Sequence, residues 1–138
     1  MYKFYMALIV FSISIFAQNF GDHFLNKTLR FDYYETGDQK SSIISFGEMI
    51  EEPFWGGSKI NLIDTLFYGN YFFELYDLNS ENLIYSRGYS TLFQEWQTTD
   101  EAKETKTTFS GSIIFPYPKN SVKIIFYKRT TFRIKKQV

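Results

Sequence analysis

Apolar and polar side chains alternate with a period of two from Thr28 to Tyr34, Leu29, Phe31 and Tyr33 falling on one face and Arg30, Asp32 and Tyr34 on the other. Such a pattern fits a half-buried β-strand and no helix. Gly37 and Asp38 follow as a turn. The pattern returns from Thr107 to Phe115, and two further segments, Tyr71 to Asp77 and Leu83 to Tyr89, predict a hairpin across Leu78–Asn82. Ser42 to Phe46 and Ile60 to Ile63 read as shorter strands. Val122 to Tyr127 is nearly all apolar at its centre, which predicts a central strand covered on both faces. Helical signals are brief. Glu48, Glu51 and Glu52 stand at one-turn spacing before Pro53, and Thr98 with Glu101 has the spacing of a capping box opening a helix through Glu104. Trp55, Gly56 and Gly57 read as a loop, and Pro116 to Asn120 as a rigid turn.

Many short strands, rich in aromatic and β-branched residues and without a long helical period, predict an all-β fold: a single antiparallel β-sandwich domain. At 138 residues the chain has room for one such domain. Aromatic residues make up 21% of it, and only Tyr2, Phe4, Tyr5, Phe11 and Phe16 lie in the opening segment, so the bias belongs to the fold.

That opening has the layout of a secretory signal peptide over residues 1–17: basic Lys3, an apolar run from Phe4 to Phe16, then small Ala17 before polar Gln18. The run is shorter than the roughly 20 residues that span a bilayer. The expected organisation is therefore a signal peptide at 1–17, a sandwich at 18–129 and a basic tail or edge strand at 130–138. Export to the periplasm, the cell surface or the medium follows, with no membrane attachment after cleavage.

The chemistry available is narrow. There is no cysteine and one histidine, which excludes thiolate catalysis, cysteine-ligated metals and disulfides. A zinc site needs three or four ligands, and His23 stands near the expected new N-terminus, where a chain is usually mobile. Asp22 beside His23 is too loosely placed for a Ser-His-Asp triad. The Glu48, Glu51 and Glu52 group lacks the loop pattern that wraps calcium. Asp32, Glu74 and Glu95 supply carboxylates, yet a domain this small offers little room for a glycosidase cleft. Lys+Arg and Asp+Glu balance at 15 each, so no net field draws nucleic acid. The run Lys119, Lys123, Lys128, Arg129, Arg133, Lys135, Lys136 reads as a strand with charged ends. No catalytic residue, cofactor or metal is expected. The candidates for ligand contact are Trp55, Trp96, Tyr71 and Tyr89, whose rings would give a sugar a flat apolar face if exposed.

Several longer runs carry a resemblance. Asn26 to Tyr34 with Gly37-Asp38, Gly69-Asn70, Tyr76-Asp77 and Ile84 to Ser90 are followed by Leu92-Phe93-Gln94-Glu95-Trp96-Gln97-Thr98-Thr99-Asp100-Glu101-Ala102, then Phe109, Pro116, Pro118 and Lys119. Together, from about Phe24 to Arg129, they resemble the N-terminal domain of the bacterial IgA peptidase family, secreted zinc metallopeptidases of metallopeptidase family 64. The resemblance implies a β-sandwich that stands before a separate catalytic domain, where the zinc-binding His-Glu-x-x-His helix lies. No catalytic residue carries over to this chain. It implies a non-catalytic accessory role, scaffolding or substrate presentation, with a peptidase catalytic domain or a host glycoprotein as partner. A stand-alone module binding glycan or glycoprotein is the alternative. After Arg129 the pattern of a linker into a catalytic domain is missing, which leaves open a truncated peptidase gene or a free-standing domain. Within the matched segment, Phe93 and Trp96 read as packing anchors, and Glu95 and Gln97 as polar alternates of an extended stretch or the lead-in to the Thr98 cap.

Overall fold

The computed structural model describes residues 19–129 and 135–137. The signal peptide expected at 1–17 and most of the tail expected at 130–138 lie outside them. A single helical turn, α1 (Phe20–His23), leads into β1 (Phe24–Gly37) and β2 (Ser42–Glu52). The hairpin of β3 (Tyr71–Asp77) and β4 (Leu83–Tyr89) follows after a long loop. Two short helices, α2 (Leu92–Trp96) and α3 (Glu101–Glu104), then lead to β5 (Thr107–Pro118), β6 (Val122–Arg129) and β7 (Lys135–Gln137). The strands form two antiparallel sheets, ordered β2-β1-β5 and β4-β3-β6-β7.

The alternation in β1 does what it predicts. Tyr33 is buried and Leu29 and Phe31 pack on the core, while Tyr34 is exposed. Phe31 and Tyr33 meet Phe126 of the other sheet, and Phe73 meets Phe115, so the inner faces join as a sandwich. Pro116 and Pro118 sit on β5, an edge strand, where a missing N–H breaks no ladder between two neighbours. The β1–β2 turn is an Asx turn: Asp38 Oδ1 accepts from the amides of Lys40 and Ser41, each at 2.9 Å.

Several expectations need correction. Gly47–Glu52 is strand, not a helical turn: β2 runs on to pair Glu52 with Thr28. The extra residue in β2 is absorbed as a bulge, since Phe31 pairs with Met49 but Tyr33 with Phe46. A Cβ on Gly47 would lie 2.8 Å from the Asp32 carbonyl, so the bulge needs glycine. Ile60–Ile63 is loop; Leu62 is buried and its carbonyl accepts the Ser86 amide, a point contact on the free edge of β4 rather than a strand. Leu92–Trp96 is helix rather than extended, because the Thr91 side chain caps it by accepting the Gln94 amide at 3.1 Å. Thr98 caps nothing; its hydroxyl donates to the Glu95 carbonyl, and α3 begins after Asp100 without a side-chain cap.

The remaining correction concerns the strand covered on both faces. That strand is β3, in which every residue but Tyr76 is buried, whereas β6 lies between β3 and β7 but is only half-buried. β5 also reaches Pro118, so the turn expected from Pro116 starts later. His23 is held in α1, its ring against Phe24 and its carbonyl accepting the Lys119 amide at 2.9 Å.

Candidate functional site

Acidic groups that might have paired for catalysis are dispersed. Asp32 is tied to Arg30 and accepts from Ser112, Glu74 accepts from the Tyr76 hydroxyl, and Glu95 is exposed on α2. Glu51 and Glu52 pair with Lys27 and Arg30. Among the described residues no three His, Cys, Asp or Glu side chains gather as a metal site.

The four aromatic candidates are mostly interior. Trp55 is 7% exposed, packs edge-on against Tyr85 and donates its Nε1 proton to the Ser58 carbonyl at 3.1 Å. Trp96 is 9% exposed, packs at a tilt against Phe93 and Phe109, and donates to Glu101 Oε2 at 3.3 Å. Tyr71 is 1% exposed, and Tyr89 is half-buried against Tyr71 and Phe73. Among the described residues, rings open to solvent belong instead to Tyr34, Phe46, Phe54, Phe67 and Tyr68.

One of the four, Tyr89, lines a cleft, and Tyr71 and Trp96 pack against residues that line it. Where the chain leaves β4 and crosses through α2 to β5, a cleft of about 200 Å³ opens between the sheets. Tyr33 and Glu35 of β1 and Tyr89 of β4 line its inner end, Thr91 and Phe93 one wall, and Phe109 with Ser110, Gly111 and Ser112 of β5 the other. Tyr33 stands opposite Gly111 in the strand register, and a Cβ on Gly111 would come within 2.5 Å of the Tyr33 ring. An aromatic ring thus lies over a bare backbone position, a cross-strand pairing that leaves the wall thin there.

Beneath the cleft is a buried polar network centred on Glu35, itself 1% exposed. Its Oε1 accepts from the Tyr71 hydroxyl at 2.6 Å and from the Ser42 hydroxyl at 2.8 Å, and Lys128 Nζ lies 3.7 Å away. Lys128 donates to Gln97 Oε1 at 2.7 Å and stands over the rings of Tyr71 and Phe93. Gln97 in turn donates to the Asp38 carbonyl at 2.7 Å, linking α2 to the β1–β2 turn. Burial lowers the Lys128 pKa, and the neighbouring Glu35 charge opposes that shift. Burial raises the phenols of Tyr71 and Tyr89, each reinforced by its neighbours: Glu35 for Tyr71, Tyr33 first for Tyr89. Among the described residues, Glu35 Oε2 is a buried atom without a hydrogen bond, whereas the Tyr89 hydroxyl has that of Tyr33 beside it.

Glu35 and Lys128 were not among the sequence candidates, although a signal existed. Glu35 continues the inward series Leu29, Phe31, Tyr33, and Lys128 continues Ile124, Phe126, so each puts a charge on an apolar face.

The family model for the Peptidase M64 N-terminus matches residues 19–138. The chain belongs to the Peptidase M64 N-terminus family. The match covers both sheets of this M64 N-terminal domain and the whole cleft, and runs past Arg129 to the last residue. No curated protein matches the chain.

Proposed function

We propose that this M64 N-terminal domain is an exported, non-catalytic accessory module that works beside a peptidase catalytic domain, scaffolding it or presenting its substrate. The family match over residues 19–138 is the observation that carries the reading. The composition supports it: one histidine and no cysteine leave this chain poorly equipped for the zinc chemistry of a metallopeptidase. Its partners on this reading are a catalytic domain or a glycoprotein substrate, and its balanced charge gives nucleic acid no purchase.

The test mixes the full chain with a zinc catalytic domain of the same family. Substrate presentation raises kcat/KM on a folded glycoprotein and leaves cleavage of a short peptide unchanged. Scaffolding raises the thermal midpoint or the folded yield of the catalytic domain. If both quantities stay where they are without the chain, the accessory role is wrong.

A further inference from the structure

We propose that the cleft between β4, α2 and β5 is a binding site for a single neutral sugar ring, one hydroxyl of which donates to Glu35. The inference goes beyond the peptidase association and does not depend on it.

The inner end of the cleft asks for a hydrogen-bond donor. Glu35, which lines the cleft, has in Oε2 a buried carboxylate oxygen without a hydrogen-bond partner. Buried polar atoms are nearly always bonded, and an ionised carboxylate oxygen can only accept. A hydroxyl is suited to that oxygen, because it donates a hydrogen bond and brings no charge.

Charge decides between neutral and cationic donors. Lys128 already stands 3.7 Å from Glu35 Oε1, so an incoming ammonium or guanidinium would leave a surplus positive charge in a largely buried place. A neutral polyol adds none. The walls suit its two kinds of surface: Phe93 and Phe109 offer apolar ring surface to C–H groups, and Thr91 and the β5 edge supply polar groups at the rim. A space of about 200 Å³ takes one ring rather than an extended chain. Gly111 makes room at the cleft wall for the ring of Tyr33, which occupies the place a side chain would take. Solvent does not touch Glu35 Oε2, so binding requires the side chains over it to move aside as the ligand enters.

The test is an amide NMR titration of the full chain with the methyl glycosides of glucose, galactose, mannose and N-acetylgalactosamine, and separately with n-butylammonium. We expect at least one glycoside to shift the amides of residues 89–93 and 109–112 in a saturable way. Glu35→Gln, which turns an acceptor into a donor, should weaken that binding by about tenfold or more. Ser90→Trp, at an exposed position on the mouth, should abolish it with the rest of the spectrum intact. The second variant keeps the test decisive if Glu35→Gln does not fold. No shift with any glycoside, shifts located elsewhere, binding untouched by Ser90→Trp, or preferential binding of n-butylammonium would each overturn the proposal; the first would leave ordered water as the natural partner of Glu35 Oε2.

Discussion

The Tyr71 hydroxyl donates to Glu35 Oε1 across 2.6 Å, joining β3 of one sheet to β1 of the other through two side chains that are each 1% exposed. Tyr71→Phe removes the donor and leaves Ser42 and Lys128 to serve the carboxylate. A loss of about 1–3 kcal/mol in urea unfolding is expected, the range for a hydrogen bond to a charged, buried acceptor.

The ion pair beside that bond should show strong coupling. Lys128→Met leaves Glu35 buried without its cation and should cost about 2–4 kcal/mol, somewhat under the usual value for a fully buried pair because Lys128 is partly exposed. The double variant Glu35→Gln with Lys128→Met should be less damaged than the sum of the single ones. Additive losses in the double-mutant cycle would show that the pair does not interact.

Helix capping offers a sharp local comparison. Thr91→Ala removes the acceptor for the Gln94 amide and should cost about 1 kcal/mol. Thr98→Ala, at an exposed site whose hydroxyl only donates to the Glu95 carbonyl, should change stability by less than about 0.5 kcal/mol. Equal losses at the two positions would put the cap in the wrong place.

Gly111→Ala should destabilise by about 1–3 kcal/mol, because the new methyl meets the Tyr33 ring at contact distances as short as 2.5 Å. Shrinking the ring should recover part of the loss: Gly111→Ala with Tyr33→Leu is expected to be more stable than the two losses added together. Thermal unfolding of the four proteins checks it.

Stability should fall at both ends of the pH range, for opposite reasons. Tyr33, Tyr71, Tyr85 and Tyr89 have phenol pKa values raised by burial, so the folded state keeps them neutral above the ordinary 10.0, where the unfolded chain ionises. The unfolded state then binds fewer protons, and stability drops as pH rises past that value. Lys128, lowered by burial, works the other way below its ordinary 10.5, but it is one group against these four and the likewise raised Tyr76 and Tyr127. On the acid side, Asp77 and Asp38 are held below the ordinary 3.8, Asp77 first by Asn120 and Asp38 first by the Lys40 amide. Their contribution is complete above 3.8 and disappears as pH falls through the lower folded values. Phenolate absorbance during alkaline titration should show these buried tyrosines ionising together with unfolding; gradual ionisation in a still-folded protein would contradict the assignment.

Strands with one wet face were legible, because alternation records the burial of one side: β1 and β5 were found from it, and the β3–β4 hairpin from its aromatic runs. What failed depended on distant neighbours. The acids of Gly47–Glu52 have helical spacing, yet that segment has β1 beside it to pair with, and a bulge at Gly47 absorbs the misfit. Ile60–Ile63 has the composition of a strand but meets the edge of β4 at a point only. The cap at Thr91 and the false cap at Thr98 look alike in sequence; the packing of Phe93 and Trp96 against Phe109 fixes which turn becomes the helix. At the cleft, Tyr71, Tyr89 and Trp96 were picked for their rings alone. The groups that give the place its polarity, Glu35 and Lys128, meet only when the two sheets close on each other.

The order of the strands also sets a timetable for folding. β1 is the middle of its sheet, yet its Gly37–Thr107 and Thr28–Pro116 pairings wait for a strand made much later, and β3 needs β6, which ends at Arg129, to complete its own surroundings. Early on, only the β1–β2 and β3–β4 hairpins can form, each too small to stand alone in water. Closing such long loops before the contacts reward it makes folding slow, and the earlier strands stay open until β5 and β6 have been synthesised.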